Sequence, residues 1–183
     1  MNPMNMYIKN LVAFFSLCFL ISCTDNLNFD EINLNVDPII TAPLIYFELN
    51  QDDFYNSTTG TEIPVISDTS DFRVFKSSAI RNDLIKAVFD FEIENRFDRS
   101  FEVNIVFFDG DNTITRTIPT FTIGPQDLNY VASESIEIDV SPIFLTSRKV
   151  SVEVKLNPST TQIDPNIYQI IKFKSTGTFH LSI

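Results

Sequence analysis

Ile85-Lys86-Ala87-Val88-Phe89-Asp90-Phe91-Glu92-Ile93-Glu94 decides the fold. Ile85, Ala87, Phe89, Phe91 and Ile93 recur at every second position, against Lys86, Val88, Asp90, Glu92 and Glu94. A period of two is the signature of a strand with one face buried and one in water. After Asp98-Arg99-Ser100 the pattern resumes. Phe101, Val103, Ile105 and Phe107 alternate with Glu102, Asn104, Val106 and Phe108. A three-residue loop would make the two strands a hairpin, pairing Phe97 with Phe101 and Arg96 with Glu102. A five-residue loop would oppose Glu94 to Glu102, two like charges, so the shorter loop is expected.

The same period extends outward in both directions. Pro38 and Pro43 bracket the approach to a strand over residues 44–49, and a polar loop follows from Asn50 to Glu62. Its Asn56-Ser57-Thr58 matches the glycosylation triplet by chance. Asp109-Gly110-Asp111-Asn112 is a turn leading to a strand near Thr113 to Thr117. Pro119 interrupts that strand before it resumes to Ile123 and Gly124-Pro125. Ile136, Ile138 and Val140 alternate again. Pro142 is placed to begin a single helical turn over 141–145. Val150, Val152, Val154 and Leu156 then alternate with Ser151, Glu153 and Lys155. Residues 167–174 and 178–183 close the sequence as strands on either side of Gly177. With no long amphipathic helix, the expectation is an all-β, antiparallel, immunoglobulin-like β-sandwich of about 7–9 strands.

At the N-terminus, Lys9 precedes the apolar run Leu11 to Ile21, and Ser22-Cys23 follows. The run is shorter than the roughly 20 residues of a membrane span. A positive start, a short apolar core and a small residue before the cut form a signal-peptide pattern. Leu20-Ile21-Ser22-Cys23 resembles a bacterial lipobox. The resemblance implies cleavage after Ser22, lipidation of Cys23 and attachment to the outer membrane through acyl chains. Thr24 after the cysteine implies no inner-membrane retention, and the sparse early acids (Asp25, then Asp30-Glu31) do not decide between the periplasmic face and the cell surface. The expected organisation is a signal peptide at 1–22, a lipidated tether at 23–37 and one sandwich domain at 38–183. Two acyl chains already hold a protein firmly on a bilayer, so three make the anchor permanent.

Lys9 is the one basic residue before the cut and all 24 acidic residues follow it, so processing takes the formal charge from −11 to −12. Such a surface repels nucleic acid, and no basic cluster interrupts it. Cys18 leaves with the signal and Cys23 carries lipid, so no thiol is left for a disulfide, a metal or a nucleophile. His180 is the only histidine. It lies on a strand between Phe179 and Leu181, and a zinc site or a Ser-His-Asp site needs more than it offers. No cofactor motif is present.

Three further features are candidates for function. Asp109, Asp111 and Asn112 bring three oxygen-bearing side chains together, a candidate calcium site, although Asp-Gly is also the strongest hairpin-turn signal. Asp90, Glu92 and Glu94 project from one strand face about 7 Å apart. That spacing suits paired-carboxylate hydrolysis only where a cleft raises one pKa, and a solvated face is the simpler reading. Val88, Val106 and Phe108 are apolar residues on the otherwise polar outer face, an expected partner surface. Eighteen Phe without Trp build a core of rings lacking polar handles, which weighs against a glycan site without excluding one.

Phe89-Asp90-Phe91-Glu92-Ile93-Glu94-Asn95 and Phe107-Phe108-Asp109-Gly110-Asp111 resemble small extracytoplasmic β-sandwich domains in which Asn ends one strand and an aromatic-Asp turn ends the next. With its lipobox and its Asn/Asp/Phe/Ile-rich composition, the chain is similar to small uncharacterised outer-membrane lipoproteins of Bacteroidota. Neither resemblance brings a catalytic motif. The expected function is therefore a non-enzymatic, lipid-anchored accessory or interaction subunit of an envelope assembly, with the membrane and an outer-membrane protein as partners. The alternatives are a lipoprotein that captures a glycan or a divalent cation, and a carboxylate-dependent hydrolase.

Overall fold

The computed structural model describes residues 37–182. The expected signal peptide, Cys23 and the tether before Asp37 lie outside the described residues. Ten strands form in chain order: β1 (Ile39–Asn50), β2 (Tyr55–Asn56), β3 (Thr61–Glu62), β4 (Val65–Asp71), β5 (Leu84–Asn95), β6 (Phe101–Phe108), β7 (Ile114–Ile123), β8 (Tyr130–Glu137), β9 (Lys149–Leu156) and β10 (Ile170–Leu181). A single-turn helix, α1 (Ser78–Asp83), precedes β5, with the Ser77 side chain accepting from the Ile80 amide at its start. The expected turn after Ser141 is a 3₁₀ turn over Pro142–Thr146, with proline at its start. No helix among the described residues is long and apolar enough to cross a membrane.

Two four-stranded antiparallel sheets carry the fold, in the orders β1-β10-β5-β8 and β4-β9-β6-β7, with β2-β3 as a separate two-stranded ribbon. The all-β antiparallel sandwich expected from the alternation is present. Its wiring is different. The expected β5–β6 hairpin does not form: β5 pairs with β10 and β8, whereas β6 pairs with β7 and β9. Glu102 meets Lys155 at 2.9 Å, and Arg96 turns to Glu94 instead. Alternation tells which face of a strand is buried, and it reads the same for two strands side by side and two facing each other across a core.

Of the long strands, only β6 and β7 are consecutive neighbours in a sheet. Every other connection crosses from one sheet to the other. Immunoglobulin-like sandwiches keep several consecutive strands as hairpins within a sheet, so that expectation is corrected. Leaving out the ribbon, the order is that of an eight-stranded double Greek key, or jelly roll.

The inward faces supply a core rich in phenylalanine. Phe72, Phe75, Phe89, Phe107, Phe144 and Phe179 interlock at one end of the sandwich, mostly edge to face. Phe54, Phe97 and Phe101 form a smaller group at the other end. Each such pair adds about 0.5–1.5 kcal/mol beyond its area.

Polar groups buried at that second end are fully engaged. The Asn95 amide, with no exposed surface, donates to the Arg99 and Gly124 carbonyls at 2.8 and 2.7 Å and accepts from the Phe97 amide at 2.9 Å. The Arg99 guanidinium donates to Glu62 Oε1 at 2.8 Å and to the Thr161 and Asn157 carbonyls at 2.6 Å each. The same Glu62 oxygen accepts the Ile163 amide at 2.7 Å. One ion pair thus holds the ribbon and the β9–β10 loop onto the β5–β6 corner.

Candidate functional site

The two long sides of the sandwich are finished differently. At one, β7 lies beside β8, and Arg116 of β7 bridges to Glu134 of β8 at 2.7 Å. At the other, β1 and β4 are the outermost strands of their sheets, and among the described residues neither has a strand on its free edge. A cleft opens between them.

Local sequence explains the opening. The inward positions of β10 run Ile171, Phe173, Ser175, Gly177 and Phe179, so the two smallest residues fall at the middle of the wall. A β-carbon at Gly177 would lie 2.8 Å from Leu44 Cδ1 and 2.9 Å from the Phe179 ring. Glycine thus fits close packing against Leu44 of β1 and the Phe179 ring, and β10 runs through it unbroken, which corrects the expected break there. β1 carries a bulge between Pro43 and Ile45, and the Ile45 amide donates to the Ser175 hydroxyl at 3.1 Å. A bulge bends the strand and leaves its extra residue, Leu44, unpaired.

β4 contributes the other wall. Ile66, Asp68 and Ser70 pair with Val154, Val152 and Val150 of β9. Those valines are buried, so the inward series on β4 is apolar, acidic, hydroxyl. Two adjoining cavities result. The inner one, about 340 Å³, reaches from Pro43–Tyr46 and Ser70–Val74 down to Phe89, Phe91, Ile105 and Phe107. The outer one, about 190 Å³, runs between Ile45, Phe47 and Leu49 on one side and Ile66, Asp68 and Ser70 on the other, over Val150, Val152 and Val154. The floor is hydrocarbon.

Asp68, exposed to solvent, is the charged group of the outer cavity, and the paired Asp71 and Arg73 line the inner one. Asp68 Oδ1 accepts the Thr69 amide at 2.8 Å, and among the described residues no cation is in ion-pair range of it. At the rim, the Tyr46 hydroxyl donates to Glu48. That bond holds the Glu48 carboxyl below the usual carboxylate range and raises the Tyr46 phenol above its own. Lys172 also reaches Glu48, at 3.3 Å.

The expected partner surface does not assemble. Val88 is on β5 in one sheet, and Val106 and Phe108 are on β6 in the other. All three are partly exposed on outward faces, but those faces point in opposite directions, because the expectation depended on the hairpin that does not form. The Asp109 turn is closed by its own groups: Asp109 Oδ1 accepts the Asp111 and Thr113 amides at 2.9 and 2.8 Å. Asn112 has a left-handed backbone, φ 65°, and the Lys149 ammonium donates to its Oδ1 at 2.8 Å. Among the described residues no three His, Cys, Asp or Glu side chains gather as a metal site.

Asp90, Glu92 and Glu94 lie on the outer face of β5, where Lys174 is opposite Glu92 and Lys172 opposite Glu94. They form a charge ladder and not a facing pair. His180 points outward between Ile39 and Lys86 on the neighbouring strands. Cys23 lies outside the described residues. The cleft escaped the sequence reading because β4 itself did: Asp68 and Ser70 erase the alternation that marks a strand. The available signal was the unassigned, β-branched stretch Val65 to Thr69 after Pro64.

The fold and site define an all-β sandwich domain with one open side. No known family profile matches the chain, and no curated protein matches it. Among solved structures it is similar to a protein of Parabacteroides distasonis that carries a provisional secreted designation. The TM-score is 0.48 at 13% identity, over 63% of this chain and 37% of that one. It is also similar to infectious bursal disease virus, Gx strain, with a TM-score of 0.46 at 7% identity over 80% and 32% of the two chains. T=1 particles derived from that virus give a TM-score of 0.46 at 9% identity, over 80% and 32%. The chain spans about a third of the length of these proteins. No residue role transfers at such identities.

Proposed function

We propose that this protein is a non-enzymatic, lipid-anchored envelope protein that serves as an interaction subunit, engaging its partner through the β1/β4 cleft. In this reading residues 1–22 are a lipoprotein signal peptide, Cys23 carries the acyl chains and residues 23–37 link them to the sandwich at 38–183. The outer membrane is the site of attachment. The observation that carries the reading is the open side: two edge strands without partners among the described residues, over a floor of Val150, Val152 and Val154. Proteins ordinarily cover or blunt such an edge, because it is a template for association. An apolar trough with a single unpaired carboxylate suits a partner better than it suits a polyhydroxylated glycan.

The test is isolation from the native membrane. A C-terminal tag, extraction in mild detergent and quantitative mass spectrometry should return a stoichiometric outer-membrane protein, and Cys23→Ala should move the chain to the soluble fraction. A clean monomer from the same extraction would overturn the subunit reading.

A further inference from the structure

We infer that the occupant of the cleft is an extended peptide segment of the partner, apolar at alternate positions and carrying one lysine or arginine that meets Asp68. This inference rests on the interaction reading above and adds the chemistry of the partner to it. Three observations converge on it.

The first is the pair of free edges. β1 and β4 flank the trough, and among the described residues each has an edge with no neighbouring strand. An extended chain satisfies such an edge, and a compact apolar molecule does not.

The second is the period. Ile45, Phe47 and Leu49 on one wall, Ile66, Asp68 and Ser70 on the other, and Val150, Val152 and Val154 beneath all recur at every second residue. An added strand presents side chains to one face at the same spacing, about 7 Å. Its successive inward residues therefore meet successive rungs: apolar at Ile66, cationic at Asp68, small and polar at Ser70.

The third is charge. Asp68 stands solvent-exposed at the edge of the outer cavity, beside its apolar floor, without a cation of its own among the described residues. Asp71 at the inner cavity is paired with Arg73 at 3.1 Å, and Glu48, on the outer face of β1, with Lys172 at 3.3 Å. Of the three, Asp68 is the carboxylate left without a cation, on a chain of net charge −11. A second copy of this chain brings the same acidic surface and is repelled, while a basic segment is attracted. An inward-pointing acid on an edge strand also discourages indiscriminate strand addition. The same carboxylate thus rejects wholly apolar strands and selects one with a matching cation.

The experiment uses the full chain in detergent micelles and two fluorescein-labelled nine-residue peptides. Both carry valine at alternate positions and threonine between. One has lysine at the centre of the valine face, the other glutamate. By fluorescence anisotropy the lysine peptide should bind about tenfold more tightly, the scale of one charge-assisted contact. Asp68→Lys should reverse the preference, and Asp68→Asn should remove it while leaving the melting temperature close to that of the parent. Equal binding of the two peptides, no binding of either, or a lysine preference that survives Asp68→Lys would overturn the inference. If, in addition, the native partner copurifies equally with Asp68→Lys and parent protein, the interaction reading stands and the cleft is not its site.

Discussion

Replacing Arg99 by methionine removes the ion pair that ties down one end of the sandwich. The Arg99 side chain is 7% exposed and Glu62 21%, so water replaces little of what is lost. Arg99→Met forfeits the contact to Glu62 and those to the Thr161 and Asn157 carbonyls. It leaves a mostly buried carboxylate held by the Ile163 amide. Hydrogen bonds to charged groups contribute about 1.5–3 kcal/mol each, but they share one side chain and do not sum. Breaking a buried pair by removing one member costs about 3–5 kcal/mol, a large part of the roughly 5–15 kcal/mol that holds a typical domain together.

For a domain of this size that loss corresponds to a melting temperature lower by about 10 °C. Arg99→Lys keeps the charge but not the fork that reaches three acceptors, and should lose about half as much. Glu62→Gln with Arg99→Met closes a double-mutant cycle whose coupling should reach about 1–3 kcal/mol. Urea denaturation with unchanged m-values reads each term. A loss below about 1 kcal/mol for Arg99→Met would place the pair among ordinary surface bridges and refute the role given to it.

Asn95→Ala should destabilise by about 2–3 kcal/mol in the same assay, because it strands the Phe97 amide and two carbonyls inside the corner. Asp68→Val should act in the opposite direction. Completing an apolar series beside Ile66 and over Val152 should stabilise by about 1 kcal/mol while lowering solubility, measured by melting and by light scattering. Glu137 has its carboxyl held below the usual range by the Lys86 hydrogen bond, and Glu48 likewise by Tyr46. A folded value below the unfolded one, about 4.3, gives stability that is present above that pH and lost as pH falls through the lowered value. Glu137→Gln should therefore flatten the fall in stability on acidification below about pH 5. Both acids are on the surface, so the change is small and shrinks with salt.

The strands that were legible in the sequence are those with an unbroken apolar face. β5, β6 and β9 announced themselves through Phe89 and Phe91, Val103 and Ile105, and Val150, Val152, Val154 and Leu156, and those residues are buried. At the start of β5, by contrast, a register shift buries Leu84 and exposes Ile85. Three features were hidden for physical reasons. Pro119 suggested a break in β7, but the register there shifts at a bulge on an edge strand, which tolerates a residue that cannot donate. Gly177 suggested a break between two strands, because sequence does not distinguish a glycine used for its backbone freedom from one used for its lack of a β-carbon. β4 was not visible at all, since Asp68 and Ser70 occupy its inward positions.

The jelly-roll wiring lay beyond reach for a different reason. Alternation reports a strand's buried face, and pairing depends on which strand the turns deliver to its edge. The expected partner surface failed with the expected hairpin, since Val88 and Phe108 share a face only if β5 and β6 share a sheet. Asn95 was legible as a strand end, but its role as the donor that closes the corner belongs to the packing of the β5–β6 and β7–β8 loops around it.

Hydrogen exchange on the complex with whatever partner copurifies tests the central claim most directly. The account predicts new amide protection along Ile45–Leu49 of β1 and Val65–Asp71 of β4, with the outer faces carrying Val88 and Phe108 unchanged. Protection confined to either outer face, with β1 and β4 exchanging as in the free protein, would contradict it.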